Sequence, residues 1–424
     1  MTDATLADLP IGRHRPFRLF WLARVSATMA LQMQVVAIGW QIYAMTGSPL
    51  DLGLVGLAQF VPAFLLMLVA GHVADRYDRT VILRLCQIFE GAGAALLALG
   101  TAAGWLNREW IFFIAVLIGT ARAFEMPSLQ ALLPLIVPAR LLPKAVAGSA
   151  SANQTATIAG PAIGGLLFAL NPILVYATCA MLFLAASFMI ALLSAQNAYR
   201  PAKLSANREK ISFEVLFAGI AFIRNKPAIL GAISLDLFAV LLGGATALLP
   251  IYAKDILQTG PLGLGLLRAA PAIGALLMAV ALARWSLSKN AGRKMFAGVA
   301  IFGIATIVFA LSTSFALSLA ALVVLGAADM VSVVVRQTLV QMRTPDNMRG
   351  RVTAVNALFI GTSNQLGEFR AGVMAQFTGA LFSVLIGGLG TLAVVALWMK
   401  LFPSLLKVDD LGRVETDDTP AERH

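Results

Sequence analysis

Ten ionisable side chains stand inside runs of sequence that are otherwise apolar. Five are acids, Glu90, Glu125, Asp236, Asp329 and Glu368, and five are arginines, Arg24, Arg122, Arg268, Arg336 and Arg370. Away from water each of these charges is costly, and side chains placed this way default to ion pathways, proton relays or ligand sites. The two signs balance, so pairing is the natural way to lower the cost. Glu125 follows Arg122 by three residues, which puts both on one helix face. A carboxylate buried without full compensation can load and release a proton near neutral pH. Glu125, Asp329 and Asp236 are therefore the proton-coupling candidates, in that order. Glu90 reads as half of a structural pair. Glu368 and Arg370 are two positions apart and face different neighbours, while Arg268 and Arg336 read as locally paired or snorkelling.

The elements that must position these groups are membrane spans. The chain has 424 residues, of which 59% are hydrophobic and only 12% charged, with a mean hydropathy of +0.83. A soluble domain carries about a quarter charged residues, so lipid is the solvent for most of this chain. A span needs ~20 apolar residues, and twelve such runs are found near 17–44, 50–73, 80–104, 109–130, 144–170, 172–196, 227–252, 261–284, 294–312, 315–340, 351–375 and 379–402. These group as a six-helix bundle over 1–196, a basic linker over 197–226, a second six-helix bundle over 227–403 and a polar tail over 404–424, expected to be a mobile cytoplasmic end. Within the linker, apolar residues between Ser212 and Arg224 recur at helical spacing, which predicts a short helix on the membrane surface.

Basic residues alternate with the loops. Arg13, Arg76, Arg140, Arg208, Arg293 and Arg349 and their neighbours fall on one side, against only Arg108 and Lys254 on the other, which places both termini in the cytoplasm by the positive-inside rule. The first ten residues lack a basic leader, so the first span is expected to be retained. The net charge of +11 is spread over short loops and forms no nucleic-acid face. Cys86 and Cys179 both lie within spans and read as packing residues.

The two halves repeat. Leu52-Gly53-Leu54 matches Leu264-Gly265-Leu266 at an offset of 212, and Gly119, Gln130, Pro138, Gly160 and Gly165 match Gly326, Gln337, Pro345, Gly367 and Gly372 at an offset of 207. Six-span repeats of the same topology imply two bundles related by an axis along the membrane normal, an arrangement suited to rocking around a central site. The same offsets relate Arg24 to Asp236 and Arg122 to Asp329. Facing one another across the axis, these would form an inter-half gate; the alternative is pairing within each half. Gln32, Gln34, Asn153, Gln154, Asn356, Asn364 and Gln365 could line a binding site, with Met33, Phe60, Phe124, Met126 and Phe238 as apolar wall. Helix packing is the other explanation for each.

The turn between spans two and three reads GHVADRYDRT, with Gly71, Asp75, Arg76 and Arg79. This resembles the loop motif of the major facilitator superfamily, with Asp78 where that motif has a second Gly. Ala156 to Gly165, containing Gly160, Pro161, Gly164 and Gly165, is similar to the fifth-helix signature of drug-proton antiporters in that superfamily, with Ala156 in place of its first Gly. Physically, Pro161 removes a backbone donor and the small residues admit a close neighbour. The strings 17–24 and 344–352 are similar to the bacterial drug and siderophore exporter branch, which includes the enterobactin exporter.

The resemblance implies an all-α membrane protein of twelve helices, working by alternating access as a proton-coupled exporter of amphipathic small molecules, most simply as a monomer in the bacterial inner membrane among its lipids. It also implies that the first, fourth, seventh and tenth helices line the cavity and that Asp75 and Arg76 help lock the cytoplasmic side. On physical grounds Asp75 could cap the eleventh helix near Val352 and Thr353, where an anion is favoured; the alternative is solvated loop charge. In the second half the equivalent region, Arg284 to Lys294, has no acid. Uptake of a small organic solute and lipid or lysolipid flipping remain alternatives. Three histidines, His14, His72 and His424, are too scattered for a metal triad, and neither a phosphate-binding loop with its Lys nor a filter-like ring is present. No cofactor, metal, enzyme activity or nucleic acid is expected.

Overall fold

The computed structural model describes residues 11–195, 213–284 and 290–408. Among these, twelve long helical segments cross in sequence. They are α1 Arg15–Thr46, α2 Pro49–Arg76, α3 Arg79–Ala103, α4 Arg108–Ile136, α5 Leu142–Leu170, α6 Pro172–Ser194, α7 Pro227–Ile256, α8 Gly260–Arg284, α9 Ala291–Leu311, α10 Phe315–Arg343, α11 Asp346–Thr378 and α12 Ala380–Leu401. Ten of them are long and apolar enough to cross a membrane. The exceptions, α5 and α11, match them in length and are more polar, and they are repeat equivalents of one another. Both border the seam between the halves.

Local chemistry sets the boundaries. Asn107 and Asn171 cap α4 and α6 through their side-chain oxygens, and Pro49, Pro172 and Pro227 sit in first turns, where a missing donor costs nothing. Gly47 and Gly104 end α1 and α3 in left-handed conformation.

The terminal end is defined here as the side where α1 begins and α12 finishes, and the distal end as the opposite side. One apolar core runs from Ile38 and Ile42 of α1 through Leu248 and Tyr252 of α7 to Leu264 of α8, joining the halves distally. Nearer the terminal end the second half has a separate core around Leu235, Phe296, Leu339 and Trp398. The seam is built from backbone approach. A Cβ on Gly165 would lie 2.4 Å from the Pro261 carbonyl oxygen and 3.1 Å from Gly265, and a Cβ on Gly372 would lie 2.9 Å from the Pro49 carbonyl oxygen and 3.0 Å from Gly53. These are the same contact made twice by the repeat, α5 on α8 and α11 on α2. The two bundles are thus related by a pseudo-twofold axis.

α7 is broken. Regular α-helix stops at Gly243, followed by a 3-10 turn Ala245–Leu248, a short helical piece and a π turn Tyr252–Ile256. The break leaves carbonyls without helical donors, and Arg370 of α11 donates to those of Leu241, at 3.0 Å, and Leu242.

Two expectations are corrected. The tail does not leave the protein at residue 404: Leu405 and Val408 are buried in the second-half core, and the amide of Gly292 donates to the Val408 carbonyl at 3.0 Å. Apolar anchors hold it that far, and 409–424 lie outside the described residues. The linker helix, Phe213–Arg224, packs on α11 rather than resting only on the membrane plane, with Gly219 against Val355 and the Arg351 backbone, and Ile223 in a cluster with Ile233, Val352 and Val355.

Candidate functional site

The offsets that relate the halves bring charges of opposite sign to equivalent places. In the second half, Arg336 of α10 binds Asp236 of α7 at 2.5 Å with both side chains buried, 3% and 6% exposed. Ser332 donates to the other Asp236 oxygen at 3.4 Å. Asp329, one turn from Ser332 on α10, completes the group and interacts with both. Two carboxylates therefore lie in the field of one guanidinium, which is bonded to Asp236. In the first half, buried Glu125 of α4 lies in the field of Arg122 and of Arg24 on α1, with buried Gln87 of α3 beside it. Glu90 is 1% exposed, with neither oxygen hydrogen-bonded. Its electrostatic neighbours are Glu125 and Arg122. It belongs to this cluster and does not form the separate structural pair expected of it.

Neither gate pair is formed in this conformation. In this structure Asp236 is neutralised by Arg336, not Arg24, and Asp329 faces Asp236 and Arg336, not Arg122. Compensation is within each half because the halves are latched at their distal ends. There Tyr43 donates to Asp255, Ser48 donates to Gln376 at 3.2 Å, and deeper in the seam Gln154 donates to the Ala272 carbonyl at 2.9 Å.

Toward the terminal end Met67 of α2 packs against the apolar cluster that includes Val355 and Phe359 of α11. Beyond it, a Cβ on Gly71 would meet nothing within 4 Å. Asp75 is exposed and, among the described residues, has no hydrogen bond or ion pair; Arg76 is exposed and Arg79 partly buried. The expected cap on α11 is absent for a local reason. That helix starts at Asp346, so Val352 and Thr353 are well inside it with amides already used, and Asp346 is its own first-turn acid.

Of the lining candidates, Gln365 borders a cavity between the halves. Gln154 bridges them, and Gln32 donates to Thr157 within the first half at 3.4 Å. Gln34 and Asn356 are buried, Asn153 is exposed, and exposed Asn364 folds back on the Ile360 carbonyl at 3.0 Å. Gly160 and Gly164 seat α5 on α1 against Gln32 and Met33, and buried Pro161 lies between them, its carbonyl against Gly265 of α8. Met33 is thus packing, Phe238 stacks on Trp398, and Phe124 joins a lateral cluster with Cys86 and Ala121.

A family model for transmembrane secretion effectors matches residues 5–421. The chain belongs to that family. As a secretion effector of the major facilitator type it is a multi-pass membrane protein with a transporter's fold, and its substrates are small molecules. It is 25% identical over 388 residues to the enterobactin exporter of Salmonella typhimurium, covering 92% of each chain. It is 25% identical over 379 residues to an MFS-type transporter of Sinorhizobium fredii, covering 88% of this chain and 92% of that one. Among solved structures, a bacterial homolog of the lysosomal transporter Spinster in an inward-facing, occupied conformation superimposes with a TM-score of 0.69 at 14% identity, covering 92% of this chain and 96% of that one. A POT family peptide transporter reaches 0.73 at 12%, covering 95% and 99%.

Sequence reasoning about this secretion effector missed the role of Arg268. The repeat gave no signal for it, because the matching first-half position, Gly56, is uncharged. In the structure Arg268 lines the inter-half cavity, with Glu368 as its charged neighbour.

Proposed function

We propose that this chain exports amphipathic small organic molecules across the bacterial cytoplasmic membrane in exchange for protons, alternating between access from either side, with both termini cytoplasmic. The observation that carries this is the Asp236–Arg336–Asp329 cluster. With Arg336 paired to Asp236, the nearby Asp329 leaves a negative charge unbalanced within the spans, and one proton restores the balance. Asp236 and Asp329 take the proton in this reading, with Glu125 as the acid of the opposite half. With the termini inside, the distal latch closes the periplasmic side, and the unlatched loop at Asp75 faces the cytoplasm, the side from which an exporter loads. The likeness to enterobactin exporters supports the outward direction.

The test is transport by the purified chain in proteoliposomes under an imposed pH gradient, screened with cationic dyes, a catecholate siderophore and a lysolipid. Gradient-driven movement of at least one compound, abolished by D236N with D329N, is expected. Movement of every compound that ignores the gradient and survives neutralisation of Glu125, Asp236 and Asp329 together would sink proton exchange. Movement of the lysolipid alone would replace the reading by a flippase.

A further inference from the structure

A cavity of about 130 Å³ lies on the seam, lined by Gly39 of α1, Gly56 and Gln59 of α2, Pro250 of α7, Arg268 of α8, and Gln365 and Glu368 of α11. Both halves contribute, so its walls move apart whenever the halves rock. Its one cation is Arg268, which among the described residues has no hydrogen bond and no ion pair within 4.0 Å. Glu368 is near enough to interact with it, and accepts a hydrogen bond from Thr246 at 3.0 Å. A buried oxygen of Gln365 also has no partner. Space is preserved on the α2 wall by the absence of a side chain, since a Cβ on Gly56 would come within 3.2 Å of the Gln365 oxygen and 3.4 Å of a Glu368 oxygen.

We infer that this cavity is a subsite for an anionic group of the transported molecule, a carboxylate, phosphate or acidic ring hydroxyl, held by Arg268. A guanidinium presents a planar fork of donors that matches such groups, and the half-buried Arg268 fork has donors that, among the described residues, no protein group satisfies. Size limits what enters. A cavity near ~150 Å³ admits a benzene ring, so this smaller one takes a charged head group while the ring and the rest of an amphipath stay outside. Glu368 opposes the incoming anion, which makes occupancy reversible. The inference rests on the transport reading only in requiring a cargo.

Binding is measured on the full chain in nanodiscs with no gradient, using rhodamine B, which has a free carboxylate, and its ethyl ester, which lacks one. Tighter binding of the acid is expected, with R268Q weakening the acid at least about tenfold and leaving the ester within about twofold, the loss of one charge-assisted pair. R268K, which keeps charge without the fork, falls between. E368Q tightens the acid and leaves the ester unchanged. Equal affinities in the unsubstituted protein, or parallel loss of both probes in R268Q, overturns the inference. Should R268Q not fold, E368Q decides: unchanged or weaker acid binding rejects the subsite. Because no gradient is applied, retained acid preference alongside failed proton-driven transport would reject the export reading alone.

Discussion

Tyr43 at the distal end of α1 donates its hydroxyl hydrogen to Asp255 at the distal end of α7, a residue 212 positions later and its own equivalent in the repeat. The Lys254 ammonium stands 5.2 Å from the centre of the same ring. Symmetry-related positions therefore do meet across the axis, at the closed end. Tyr43→Phe removes one partly buried hydrogen bond worth about 1 kcal/mol, roughly a fivefold change in population. Spin-label distances across the distal end are expected to gain a longer component in the variant. An unchanged distribution would show that the apolar core, not this hydrogen bond, holds the latch.

Closure at that end also needs bare backbone at Gly165 and Gly372, where any Cβ would lie within 3 Å of a carbonyl oxygen on the opposing helix. Gly165→Leu and Gly372→Leu each overpack one copy of a duplicated contact, and overpacking costs about 1–3 kcal/mol. Both are expected to open the distal end, to similar extents, read as increased labelling of a cysteine at Gly39. If only one substitution opens it, the two seams are not equivalent in energy despite their matching geometry.

Arg24 and Asp236 obey the same offset as Tyr43 and Asp255 but lie toward the terminal end of the same two helices, where, among the described residues, no hydrogen bond or ion pair joins them. Rocking that opens the distal end brings the terminal halves of α1 and α7 together. A cysteine pair at 24 and 236 should resist crosslinking in the unsubstituted background and crosslink efficiently in the Gly165→Leu background. Failure in both would eliminate the inter-half contact and leave the charges with a role inside their own bundles.

These contrasts explain what could be read from the chain alone. Span number, the half-repeat and the membrane setting follow from hydropathy and from small residues at fixed offsets, because lipid and close packing act on every position of a helix. Partners of charged side chains do not follow, because a repeat specifies equivalence and not conformation. The rule that predicted Arg24 with Asp236 is satisfied at Tyr43 with Asp255, the end that happens to be closed. Arg268 escaped notice because its significance comes from three other helices converging on it, at Gly56, Pro250 and Glu368, and no local spacing encodes that convergence. The cap expected of Asp75 was misplaced by a boundary error: reading α11 from 351 instead of Asp346 put its N-terminal donors about one and a half turns too late.

Arg336 and Asp236 test whether the second-half cluster is held together by charge. Replacing Arg336 with Met leaves buried Asp236 beside half-buried Asp329 with no cation, and breaking a buried pair by removing one partner costs about 3–5 kcal/mol. The double variant, Arg336→Met with Asp236→Asn, removes most of that penalty, since two groups of neutral shape can replace a buried pair at little cost. Unfolding of the full chain by detergent titration is expected to show a large loss for the single variant and recovery of more than half of it in the double. Recovery should extend to folding and not to transport, because Asp329 alone would retain its proton without the swing in local charge that Arg336 provides. If the double variant is as unstable as the single, the Met side chain and not the orphaned carboxylate is the cause, and the cluster is a packing feature.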